Sequence, residues 1–158
     1  MLSFHLSVAP AACGPLAAAD GQAWMAPGLG IDLVHLPRLA QALDTFGERF
    51  VRRLFTPREA ADAGADPVLR VERLAARFAA KEAAIKAFGL AGVGVNWHDL
   101  EVERLPGGAP VLRVHGRAAR VLQDQGIAHW ALSLSHDGDH AVAVVAIVQP
   151  ASSVQAAP

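Results

Sequence analysis

Between the turn-like Gly64-Ala65-Asp66-Pro67 and Gly89 the chain carries its longest stretch of helix-compatible sequence, and any fold it adopts has to pack against that element. The stretch predicts one helix running to about Phe88, with Gly89 as its stop. Ala79-Ala80 and Ala83-Ala84 keep part of it narrow enough for another backbone or a bulky ligand to approach closely. Arg70, Arg73, Arg77 and Lys81 follow at steps of three or four and share a face, so the helix offers a cationic stripe. Glu82 and Lys86 form a second pair, one turn apart, beside it. Lys81 and Lys86 are the only lysines, against twelve arginines, so lysine is confined to this helix.

Shorter elements frame the long helix. Gly28–Val34 reads as a short buried strand bounded by Pro27, with Asp32 inside it. From Pro37 to Phe55, Leu39, Leu43, Phe46, Phe50 and Leu54 recur at helical spacing among Arg38, Arg49, Arg52 and Arg53; Gly47 breaks the pattern, which predicts two short basic amphipathic helices. Thr56-Pro57-Arg58-Glu59 has the form of a capping box that opens a third helix to about Ala63. Downstream, Asp99–Leu105 and Pro110–His115 read as a hairpin and Gly116–Gln125 as a helix; His129–Ser135 and His140–Val148 form a last hairpin around Asp137-Gly138-Asp139. The order predicts an α+β fold: a small antiparallel sheet packed against one long helix and several short helices.

A chain of 158 residues, 53% hydrophobic, holds enough apolar material for one core and is short for two domains. Residues 28–149 are therefore read as the domain. Residues 1–27, rich in Ala, Gly and Pro and lacking Lys and Arg, are read as a flexible extension, and 150–158 as a loose tail. The net charge of −1 gives no chain-wide footprint for nucleic acid, yet residues 34–90 hold ten basic and seven acidic residues, which suits one face to an anionic partner. The opening residues lack a secretory pattern, and the longest late apolar run, Ala141–Val148, is too short to cross a bilayer. Cys13, the single cysteine, has no internal disulfide partner. A cytoplasmic protein with no membrane partner is expected.

An aspartate in an apolar strand is costly unless it is paired or binds a metal. One reading is structural: Asp32 pairs with Arg77 or Lys81. The other is chemical: Asp32 and Glu82 supply the two hard oxygen ligands that magnesium commonly takes from protein, leaving other positions to water and substrate phosphate. The adjacent lysines then neutralise the rest of a diphosphate, an arrangement suited to phosphoryl-type transfer, where positioning and charge stabilisation supply most of the catalysis. A phosphohydrolase using the same clamp is also open at this point.

Three blocks in order carry a resemblance: Gly28-Leu29-Gly30-Ile31-Asp32-Leu33-Val34; Arg77-Phe78-Ala79-Ala80-Lys81-Glu82-Ala83 with Lys86-Ala87-Phe88-Gly89; and Leu132-Ser133-Leu134-Ser135-His136 with Ala141–Val145. They resemble the successive motifs of the holo-acyl-carrier-protein synthase group of 4′-phosphopantetheinyl transferases, over about Gly28 to Val148. The resemblance implies the 4′-phosphopantetheinyl transferase fold. It implies transfer of the phosphopantetheine arm of coenzyme A to a serine of apo acyl carrier protein, with release of adenosine 3′,5′-bisphosphate, in fatty acid biosynthesis and lipid metabolism or for a polyketide carrier. It assigns Asp32 and Glu82 to magnesium and, with Lys86, to catalysis. Arg77, Lys81 and Lys86 are implied to contact coenzyme A phosphates, and His136 to lie near the adenosine 3′-phosphate. Arg38, Arg49 and Arg53 occupy places that dock the acidic carrier, and a homotrimer with sites between subunits is implied. The serine hydroxyl needs a base, either a water at the metal or a nearby carboxylate. A competing reading keeps the fold and trimer as a non-catalytic binder of coenzyme A or a carrier.

Two departures stand out: His35 where the family commonly has a glutamate, and Ala109 where it often has a lysine. Asp137–Asp139 are read as turn residues rather than a metal cluster, so only His136 of that segment is kept as a site residue. Ser135 and His136, neighbours on a strand, point to opposite faces and form no nucleophile–base pair. Gly28 and Gly30 are too few for a dinucleotide fingerprint and are read as permitting a tight strand entry. Cys13 is read as incidental, and His5, His98, His115 and His129 receive no functional reading.

Overall fold

A computed structural model of the chain describes residues 16–17, 23–24 and 28–148. Strand β1 (Leu16–Ala17) pairs antiparallel with β2 (Ala23–Trp24). The rest of the expected extension, and all of the expected tail, lie outside the described residues. Strand β3 (Leu29–His35) leads directly into α1 (Leu36–Phe46), whose early Pro37 fits the first helical turn. Gly47, at φ 55°, separates α1 from α2 (Glu48–Leu54), as its place in the pattern predicts. The capping box opens α3 (Pro57–Asp62): the Thr56 hydroxyl accepts from the Glu59 amide while the Glu59 carboxylate accepts from the Thr56 amide. Helix α4 (Pro67–Ala87) starts where the Asp66 carboxylate accepts from the amides of Val68 and Leu69, and the chain turns away at Gly89, φ 64°.

The second half of the chain supplies β4 (Leu100–Arg104), β5 (Pro110–Val114), α5 (Gly116–Asp124), β6 (Trp130–Asp137) and β7 (His140–Ile147). The single sheet expected divides in two, an antiparallel β3-β7-β6 sheet and a β4-β5 hairpin. Where β5 and β6 meet, a side chain takes the place of a ladder: Trp130 Nε1 donates to the Leu112 carbonyl at 2.9 Å. Strand β6 runs on through Asp137, leaving only Gly138 (φ 51°) and Asp139 to turn into β7. Helix α4 crosses the inner face of the three-stranded sheet. Its buried Ala79, Ala80, Ala83, Ala84 and Ala87 meet Ala141, Ala143 and Val145 of β7, so the core is built from small residues brought close together. The expectation that β3 is wholly buried is corrected: Gly30 and Val34 face α4, but Leu29, Ile31 and Leu33 are 58–65% exposed. The physical reason is that α4 covers only one face of this edge strand, and period-two alternation sends every second side chain to the other.

Candidate active site

Strand β3 and helix α4 touch backbone to backbone. A Cβ on Gly30 would overlap the Ala83 carbonyl and lie 2.7 Å from the Ala87 nitrogen, and one on Gly28 would overlap the Ala87 carbonyl. These glycines are thus explained by close approach rather than by strand entry. Asp32, on the face of β3 that looks at α4, accepts a hydrogen bond from Lys86 Nζ at 2.8 Å, and the same ammonium donates to the Ile31 carbonyl at 3.0 Å. Asp32 therefore pairs with neither Arg77 nor Lys81; Lys86, one turn from Glu82 and acting on it through its charge, makes its hydrogen bonds to the strand.

Asp32 and Glu82 line one cavity of about 140 Å³, together with His35, Arg38 and Phe78. Glu82 is 8% exposed. Burial, and then the nearby Asp32 carboxylate, hold its pKa above the usual carboxylate value, with Lys86 opposing. Two carboxylates thus crowd one low-dielectric cavity while one ammonium bonds to only one of them, a donor set that a divalent cation would complete. Among the described residues no group of three His, Cys, Asp or Glu side chains could hold a metal ion. A cation here would draw on two carboxylates, with the remaining positions left to water and substrate, which is how magnesium is usually held.

The cationic stripe of α4 divides by function. Arg70 donates to the carbonyls of Ala60 and Gly64, and Arg73 to that of Ala63, so these two serve carbonyls in the last turn of α3 and just beyond it. Lys81 requires a correction. Its side chain is fully buried, and Nζ donates to Glu59 Oε2 at 2.7 Å, to the Leu54 carbonyl at 2.7 Å and to the Trp97 carbonyl at 3.0 Å. All three ammonium protons are engaged, so none is left for a coenzyme A phosphate. Burial pushes the Lys81 pKa down while Glu59 pulls it back. Glu59, whose sequence context signals only a cap, also accepts from the Val102 amide at 2.9 Å and is the buried counterpart of Lys81.

Arg77 borders a second concavity, a cleft of about 430 Å³ lined by Arg73, Arg104, Gly108, Pro110 and His136 among others. Arg77 is 7% exposed; Nη1 donates to the Arg73 carbonyl at 3.1 Å, Nη2 lies 3.7 Å from Asp62 Oδ2, and the buried Nε has no partner. The structure thus brings Arg77 and His136 to one cleft, and adds Arg104, which carried no signal in the sequence beyond its charge. The three arginines expected to dock a carrier separate: Arg49 and Arg53 line a groove on α1 and α2 with Phe46, Phe50 and Arg52, while Arg38 stands at the carboxylate cavity.

The glycine-mediated strand–helix crossing and the two acids beside it define a class. Residues 28–145 match the family model of the 4′-phosphopantetheinyl transferase superfamily, and the chain belongs to that family. Within it, the chain is similar to the holo-[acyl-carrier-protein] synthase of Koribacter versatilis, 51% identical over 120 residues that cover 75% of this chain and 94% of the relative. It is 47% identical to that of Desulforudis audaxviator, covering 80% and 95%. A Chronobacterium ammoniagenes synthase–coenzyme A complex superimposes with a TM-score of 0.66 at 36% identity, covering 77% of this chain and 98% of that one. The Helicobacter pylori holo-[acyl-carrier-protein] synthase in complex with coenzyme A gives 0.67 at 26%, covering 76% and 99%.

Proposed function

We propose that this chain transfers the 4′-phosphopantetheine group of coenzyme A to a serine of apo acyl carrier protein, giving the holo carrier and adenosine 3′,5′-bisphosphate. The observation that carries this reading is the convergence of Asp32 and Glu82 on one cavity, with Lys86 bonded to the first. The serine hydroxyl gives its proton to a base, a nearby carboxylate or water, as its oxygen forms a bond to the β-phosphorus; the bond from that phosphorus to the bridging oxygen breaks, and the nucleotide leaves with that oxygen. Lys86 holds positive charge where the diphosphate would lie, and Arg77 and His136 grip the nucleotide end from the neighbouring cleft. Asp32 and Glu82 would hold a magnesium ion, which would supply Lewis-acid stabilisation of the diphosphate charge. Arg49 and Arg53, both exposed on α2 beside Phe46 of α1, offer the acidic carrier a basic groove, and Arg38 stands where carrier and cavity meet.

The exposed Leu29, Ile31 and Leu33 give β3 an apolar outer face, which supports assembly of three copies with sites between subunits. No helix among the described residues is long and apolar enough to cross a membrane. The proposed enzyme is cytoplasmic and serves fatty acid biosynthesis or a polyketide carrier. The test is to incubate the protein with coenzyme A, magnesium and a panel of apo carriers, then weigh each carrier. The expected result is a phosphopantetheine mass gain that is lost in Asp32→Ala and Glu82→Ala. No gain on any carrier would leave a non-catalytic binder as the better reading, and coenzyme A cleavage without a carrier would mark a phosphohydrolase.

A further inference from the structure

Three polar residues fall in one row across the three-stranded sheet: His35 of β3 stands opposite His140 of β7, and His140 opposite Asp137 of β6. The Leu36 amide donates to the Asp139 carbonyl at 2.8 Å, so His35 and His140 form a pair that exchanges no backbone hydrogen bonds of its own, the kind whose side chains stand closest. The row lies on the sheet face turned away from α4, because the next residue of β7, Ala141, is fully buried on the other face. The two rings stand 5.1 Å apart between centres, with their planes tilted by 46°. Among the described residues neither ring takes part in a hydrogen bond or an ion pair, whereas the His115 ring is tied to Glu101 at 3.0 Å. Exposed Asp137 and Asp139 add negative charge at this end of the sheet, opposed by Arg38 at the start of α1.

Two unbonded imidazoles in register make a ligand set of another kind from the oxygen pair in the carboxylate cavity. Imidazole nitrogen suits zinc and its neighbours in the first transition row, whereas carboxylate oxygen suits magnesium. A zinc–nitrogen bond of about 2.1 Å, with about 1.1 Å more to the ring centre, sets two imidazoles on one tetrahedral ion roughly 5.2 Å apart between centres. The pair already stands at that spacing, and rotation of each ring about its second side-chain torsion turns a nitrogen inward. We propose that His35 and His140 together bind a divalent transition cation of the zinc type, with Asp137 steadying the His140 ring and water completing the coordination. Such a site has two protein ligands, in keeping with the absence of any metal-sized group of three among the described residues. His35 also borders the carboxylate cavity, so the ion would sit at the edge of the candidate active site. Its binding needs neither coenzyme A nor a carrier.

The test is a calorimetric titration of the whole untagged chain with zinc at about pH 7.5, where imidazoles are free to ligate, in enough magnesium to occupy the carboxylate cavity. The wild type is expected to take up one zinc per chain. His35→Gln and His140→Gln should each weaken uptake at least roughly tenfold, and Asp137→Asn by a smaller factor. His129→Gln, which removes a histidine outside the row, should leave it unchanged. A second readout reports the ligands themselves: electron paramagnetic resonance of the copper-loaded protein should show coupling to two imidazole nitrogens in the wild type and to one in either single variant. Zinc uptake without phosphopantetheine transfer would support the site while the proposed function alone failed. A wild type that takes up no zinc, uptake that survives His35→Gln/His140→Gln, or equal weakening in His129→Gln would overturn the site.

Discussion

Replacing Lys81 with methionine separates a structural role from a substrate-binding one. The Lys81 ammonium and the Glu59 carboxylate are both fully buried and 2.7 Å apart. Without the ammonium, the carboxylate keeps only the amides of Thr56 and Val102 as donors, and the carbonyls of Leu54 and Trp97 lose one each. Removing one half of a buried pair costs about 3–5 kcal/mol, because a charge is stranded where water cannot reach it. That is a large share of the roughly 5–15 kcal/mol that keeps an ordinary domain folded. At roughly 3–5 °C per kcal/mol for a domain of this size, the melting temperature of Lys81→Met should fall by about 10–20 °C. The double variant Glu59→Gln/Lys81→Met removes the stranded charge and should recover part of the loss, so the two changes are not additive. Circular dichroism melts of the two single variants and the double variant provide the assay. If Lys81→Met melts within about 3 °C of wild type while its KM for coenzyme A rises roughly tenfold, Lys81 binds phosphate after all.

Two further expectations concern the site and its assembly. Glu82 has a raised pKa, so between its ordinary value of 4.5 and its value in the fold the native state holds a proton that the unfolded chain has released; metal-free stability therefore falls as pH rises through that window. Glu82→Gln should remove this slope and melt higher than wild type at neutral pH in the presence of a chelator, while losing the stabilisation that magnesium gives; equal pH profiles for the two proteins would refute the assignment. Leu33→Asp, on the exposed face of β3, should leave the fold intact but yield monomers in light scattering. A wild type that is monomeric at micromolar concentration would dispose of the trimer.

Local chemistry was legible in the sequence and long-range partnership was not. The break at Gly47, the Thr56–Glu59 box and the stop at Gly89 depend on residues within a turn of one another, and each forms where the pattern puts it. Helical spacing also placed Lys81 in line with Arg77, but spacing fixes only an angle about the axis. The long lysine stem turns that angle into a reach toward Glu59, twenty-two positions earlier, because the oxygen with which that glutamate caps α3 is held inside the core and accepts a second donor. Lys86 likewise reaches Asp32, fifty-four positions away, through a tertiary crossing. The apolar residues of β3 show why burial was over-read: Leu29, Ile31 and Leu33 look like core in sequence because they are suited to being covered, whatever covers them.

The bare main chain at Gly30 limits how the carboxylate cavity can vary. Where helix and strand are separated by side chains, a methyl more or less lets their spacing drift by degrees. Here Gly30 rests directly on the carbonyl of Ala83, so the gauge between the strand bearing Asp32 and the helix bearing Glu82 is set by peptide atoms, which do not mutate. The surrounding clefts can trade residues to suit a new donor or carrier while the pair of acids keeps its span; a side chain of any size at position 30 would dislocate both at a single stroke.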